Sequence, residues 1–252
     1  VVGNVTLTHK NYIYDNGATA ITITEANKVI DGNGAIIDMT GSTIRAFDVI
    51  ANGVTIKNLT IKNVNFWENG GAIKFAGDSG TVINCNFINN TAQNGGAIYF
   101  DKTGNVENCN FTDNKATVGG GAVFFLNTGN VTNCNFTNNK ATVGGGAIYF
   151  DEDGTVINCN FTDNKATGEY SFGGAVYFKD KGNVENCNFT NNKATVGGGG
   201  AVFFLNTGNV RNCNFTNNTA SEQGGAIWQY SGSVENCNFT DNRATDGSAI
   251  YF

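Results

Sequence analysis

Seven cysteines pose the first chemical question. Cys85, Cys109, Cys134, Cys159, Cys187, Cys213 and Cys237 follow one another at 24, 25, 25, 28, 26 and 24 residues, each inside the word N-C-N-F. If each interval is one turn of a repeat, the thiols stack in register with parallel Cβ vectors at the strand spacing of ~4.8 Å, beyond the ~3.8 Å that a disulfide prefers. Buried free thiols serving as small apolar fillers are therefore expected. There is no C-x-x-C pair and His9 is the single histidine, so neither a metal site nor a cofactor is expected. Free thiols that persist outside a cell fit an anaerobic habitat.

Cleavage of a polysaccharide would need paired carboxylates at a set separation, or an acidic metal-binding cluster with a basic proton acceptor. The dense acidic turn is Asp151-Glu152-Asp153, and the equivalent turns carry Asn127 and Asp180, which build no cleft with it. No catalytic residue is expected.

Binding chemistry has two candidate sources. Strand parity places Tyr99, Phe124, Tyr149, Tyr177, Phe203, Trp228 and Tyr251, after Lys74, in one outward column. At ~4.8 Å per turn they line about 34 Å of one face, a stripe suited to sugar rings, a partner protein or a second copy of the rod. The insertion Gly168 to Gly173 lengthens one turn, and its Tyr170 and Phe172 are placed to extend that stripe. N-x-T sequons stand at Asn4, Asn58, Asn89, Asn110, Asn130, Asn135, Asn160, Asn188, Asn214, Asn217 and Asn238. They read either as glycosylation sites or as an outward Asn/Thr ladder bonded between turns. Regular rows such as Asn110/Thr112 and Asn135/Thr137 also raise an ice-binding plate, which the adjoining Asp and Lys columns oppose by breaking its flatness.

These columns require an element that brings residues 25 apart side by side. A second word, G-G-A-(I/V)-aromatic-F, ends at Phe75, Phe100, Phe125, Phe150, Phe178 and Phe204, and recurs altered at Gln229 and Phe252. Short alternating strands with Gly and Asn at the corners are the grammar of a parallel β-helix, here all-β, single-stranded and right-handed, with about ten coils of three short strands. Alternation puts Ile98, Phe100, Val106, Cys109 and Phe111 inside, and Tyr99, Glu107, Asn110 and Thr112 outside. Asn108 and Asn114 fall at bends, where asparagine tolerates left-handed backbone and passes amide bonds between copies. Residues 1–69 read as a cap and the first irregular coils of the same domain, and 70–252 as regular repeats. Val5-Thr6-Leu7 and Tyr12-Ile13-Tyr14 would cover the N-terminal end of the core. The last residues stop inside a repeat, so continuation of the natural chain is expected.

Composition agrees with an elongated core. The 252 residues include 34 glycines and no proline, with 40% hydrophobic and 14% charged residues. A net charge of −6 and the lack of a basic stripe exclude a nucleic-acid partner. No apolar run is long enough for a membrane span, so direct insertion by this segment is not expected.

G-G-A-I stands at Gly70 to Ile73, Gly95 to Ile98, Gly145 to Ile148 and Gly224 to Ile227, and F-x-x-N follows each cysteine word from Phe87 to Phe239. With the I-D-G-N-G turn near Ile30, this pairing resembles the adhesin-like surface proteins of methanogenic archaea. It is more distantly similar to the passenger repeats of chlamydial polymorphic outer-membrane proteins. The resemblance implies an extracellular or cell-surface location, adhesion to a glycan or protein of another cell or self-association, and a structural role for the repeated residues. A non-enzymatic stalk or binding segment is the expected function, and a polysaccharide lyase or hydrolase is the alternative.

Overall fold

The computed structural model describes residues 3–15 and 19–252. Among them the chain winds as a parallel β-solenoid with no helix. One strand column runs from Ile21–Ile23 through Ile98–Phe100 and Ile148–Phe150 to Ile250–Tyr251. A second contains Gly104–Glu107 and its neighbours, and a third Asn110–Thr112 and its neighbours. Pairing is parallel and in register: Ile98 opposes Ile73 and Val123, Val106 opposes Val82 and Val131, and Phe111 opposes Phe87 and Phe136. A fourth column of two-residue strands, such as Lys115–Ala116, forms a separate six-stranded sheet along one corner. Three strands per coil thus describe the main sheet, and the fourth segment is a minimal addition to it.

Period-2 alternation fills the interior with two ring stacks. Phe75, Phe100, Phe125, Phe150, Phe178 and Phe204 stack at 4.8–4.9 Å between centroids. Phe87 through Phe239 stack at 4.7–5.0 Å. Burying one such side chain contributes about 1.5–3 kcal/mol, so the stacks dominate the core. The first stack dictates a glycine column, because a Cβ on Gly129 would lie 2.3 Å from the Phe125 ring. Gly145 is needed for a different reason: its φ is 59°, and a Cβ there would meet the Ile148 carbonyl at 2.0 Å.

The cysteines line the same interior as free thiols, buried from Cys85 to Cys213 and half-buried at Cys237. Each thiol sits over a carbonyl two residues back, as Cys109 Sγ does on Glu107 at 3.1 Å, and Cys85 donates its backbone N–H to Cys109 Sγ at 3.4 Å. Burial pushes the thiols of Cys109, Cys134, Cys159 and Cys187 far above the ordinary range.

The bends correct one expectation. Asn108 is left-handed at φ 53°, as its type suggests, but at the next bend the left-handed residue is Asp113 at φ 57°, not Asn114. Asn114 instead turns inward and is buried. A fully buried amide demands a partner for every polar atom, and stacking supplies them. Asn114 Nδ2 donates to Phe87 O at 2.9 Å and to Asn139 Oδ1 at 3.0 Å, while that same Oδ1 accepts the Asn114 backbone N–H at 3.0 Å. The arrangement repeats from Asn90 to Asn242.

At the N-terminal end, Val5 pairs with Ile30 and Tyr12 with Ile37, and both pack partly buried against the core. These strands form the first partial coil over the interior.

Candidate functional surface

The aromatic column lies outside the core, as its parity requires, but it is not an open stripe. Successive rings from Tyr99 to Tyr251 stack on one another at 4.3–6.3 Å with planes within 15° of parallel. Tyr99, Phe124, Tyr177 and Phe203 are buried, and Tyr149, Trp228 and Tyr251 are half-buried. The glycine-rich turns cause this. Having no side chains, they lay backbone against the rings, so that a Cβ on Gly119 would come within 3.0 Å of Tyr149 and one on Gly144 within 3.1 Å of Tyr177. The ring faces are therefore occupied by neighbouring rings and are closed to a stacked sugar. Burial first, then the charges of Asp101 and Asp151, pushes the Tyr99 phenol up to about 12. Burial likewise pushes Tyr149 and Tyr177 up.

The insertion divides its two aromatics. Phe172 turns in and meets Phe203 at 4.7 Å with a 40° tilt, extending the covered row, whereas Tyr170 is 72% exposed. Ser171 between them is fully buried and its Oγ accepts the Val196 N–H at 3.0 Å, which anchors the loop.

The sequon asparagines of the third strand column form an exposed ladder. Nδ2 of Asn110, Asn135, Asn160, Asn188, Asn214 and Asn238 each donates to the Oδ1 one coil earlier at 2.8–2.9 Å. Asn89, Asn130 and Asn217 do the same in flanking columns with Asn63, Asn105 and Asn191. Asn58 donates to Asp31, and Asn4 accepts the Val29 N–H. The interior amide ladder through Asn114 lies alongside, one bend further on.

Charged candidates are drawn into local pairs. Lys179 Nζ reaches Asp151 at 2.8 Å, Asp153 accepts the Lys181 N–H at 3.3 Å, and Asp180 accepts Asn206 Nδ2 at 3.0 Å. His9 donates from Nδ1 to Asn33 O at 2.8 Å, a bend contact in the first coils. The outward column of Glu185, Arg211 and Glu235 contains one ion pair, Arg211 to Glu235 at 3.1 Å.

One surface feature has no counterpart in the aromatic and amide columns. Trp67 stands 75% exposed beside the half-buried Phe66, with ring centroids 6.1 Å apart. The signal for it is the interval of 24 residues between Cys85 and Cys109, one short of its neighbour, since the missing residue leaves Trp67 uncovered.

An all-parallel winding, with stacked phenylalanine rows and paired amide columns, defines the class of parallel β-solenoids. Within that class the chain belongs to the family described as right handed beta helix region, whose model matches residues 2–161 and again 121–252. No curated protein matches the chain.

Proposed function

We propose that this chain is a non-enzymatic, adhesin-like stalk and binding segment at a cell surface, contacting a glycan, a partner protein or a second copy of itself. The continuity of the outward amide ladder from Asn86 to Asn238 carries this reading. Each coil presents the same side chain in the same bonded geometry. That suits a rod whose reach and repeated display matter more than any single position. Catalysis depends instead on one coordinate at which unlike groups converge.

Beads coated with the purified chain and mixed with intact cells and an immobilised glycan panel test the proposal. Saturable attachment is the expected result, with no release of unsaturated or reducing ends from pectin-like polymers. Robust turnover of such a polymer, or no attachment to any surface, sinks the proposal.

A further inference from the structure

The fourth strand column contains a notch. Asn65 pairs with Thr91, and Thr91 with Lys115, so these three coils are aligned on entering the corner. They are aligned again on leaving it, because the Gln93 N–H donates to Glu68 O and the Val118 N–H to Gln93 O, both at 2.8 Å. Between those points the outer coils have Phe66-Trp67 and Ala116-Thr117, while the middle coil has Ala92 alone. Because the Thr117 N–H donates to Ala92 O at 3.0 Å, the mismatch is left on the Trp67 side, where the indole stands exposed.

The indole borders a cavity of about 460 Å³ lined also by Phe66, Thr91, Ala92, Thr117, Thr43 and Asn65. That volume lies in the range of small-molecule sites. The wall is braced from behind: the Arg45 guanidinium lies 4.8 Å from the Phe66 ring centroid and is held by Asp48 and Glu68. Among the described residues, the side chains of Thr43, Asn65, Thr91 and Thr117 make no hydrogen bond within the chain, so their polar atoms are free for a ligand.

We infer that this notch is a saccharide-binding site that seats one pyranose ring against the Trp67 indole. One apolar wall and several neutral hydroxyl and amide groups match a polyol with an apolar face. The inference rests on the reading of the rod as a binding segment and gives it a ligand class and a location.

The test is titration of the full chain with the methyl glycosides of glucose, galactose, mannose and N-acetylglucosamine and with their oligomers on a glycan array. Tryptophan emission, thermal melting and attachment to intact cells are followed in parallel. Two variants are compared with the parent: Trp67→Ala, and an insertion of one threonine between Ala92 and Gln93 that fills the gap and keeps the indole. For at least one sugar, binding is expected to shift tryptophan emission and to weaken tenfold or more in Trp67→Ala, with melting unchanged. The insertion is expected to weaken it similarly, and should it fail to fold, Trp67→Ala decides alone. Absence of sugar binding by the parent, or equal binding by Trp67→Ala, overturns the notch. If cells are still held in that case, the adhesive reading stands without it, and loss of attachment to every surface removes both.

Discussion

The coils before Gly70 and those after it meet the same packing demand with different outward chemistry. In the early coils Lys57 pairs with Asp31 at 3.2 Å and Lys62 with Asp38 at 3.1 Å, while the buried Arg45 bridges Asp48 and Glu68. The positions aligned with Lys57 and Lys62 one coil later are Ile83 and Ile88, and the Lys62 column then continues as threonines from Thr112 and Thr137 onward, beside the amide rows. The contrast shows that an amide column has a direction. At the bends each Nδ2 donates toward the N-terminal end, from Asn84 to Asn58 and from Asn89 to Asn63, and the final acceptors are Asp31 and Asp38. A carboxylate only accepts, so it closes such a column without leaving an amide N–H unused. The buried ladder runs the other way, with Asn90 donating to Asn114 and onward to Asn242.

Breaking the interior ladder is expected to give the largest effect. Asn164→Ala leaves the buried Asn139 N–H without its acceptor and takes one of two partners from Asn139 Nδ2 and from the Phe136 carbonyl, and should cost about 2–4 kcal/mol in urea-induced unfolding. The matched exposed change, Asn160→Ala, leaves its partners in water and should cost less than about 1 kcal/mol. Equal losses for the two would remove the distinction between inner and outer ladders.

A gain is expected at Gln229, which occupies the phenylalanine position opposite Phe204. It is fully buried, and neither its Nε2 nor its Oε1 has a hydrogen-bond partner. Gln229→Phe extends the ring stack and removes two unpaired polar atoms, so a stabilisation of about 1–3 kcal/mol, read as a higher melting temperature, is expected.

The two regions should also separate by pH. Hydrogen bonds hold Asp31 and Asp38 below the ordinary carboxylate range, chiefly from Asn58 to Asp31 and from Thr40 to Asp38. Their contribution is complete above the unfolded pKa of about 3.9 and is lost as pH falls through the folded value. The thiols and the Tyr99 row are shifted upward, so their contribution is complete below about 8.5 and 10 respectively and declines as pH rises beyond those values. Amide exchange should therefore show the early coils loosening first in acid and the regular coils in alkali. The smallest effect belongs to Lys62→Ala, which removes one partly exposed ion pair and should cost less than about 1 kcal/mol.

Much of this was legible in the residues because a solenoid turns sequence period into spatial neighbourhood. The cysteine spacing placed the thiols in one line, and alternation assigned Val106, Cys109 and Phe111 to the interior, where they are found. The aromatic row was read as an open face because alternation reports only which side of a strand a residue takes. That the Gly119 and Gly144 turns fold over the rings depends on the path of a loop, which has no period. Asn114 misled for a related reason: asparagine suits both a left-handed bend and a buried ladder, and its type does not choose between them.

The sequence by itself determined the winding, its period, the inward and outward registers and the stacking of like on like, since parallel pairing of short alternating strands leaves no other way to bury these faces. Tertiary structure alone decided which outward residues meet water. It covered Tyr99 and Tyr177, left Trp67 beside a one-residue gap, and drew Asn114 inside, because exposure depends on what the corners of adjacent coils do when their lengths differ.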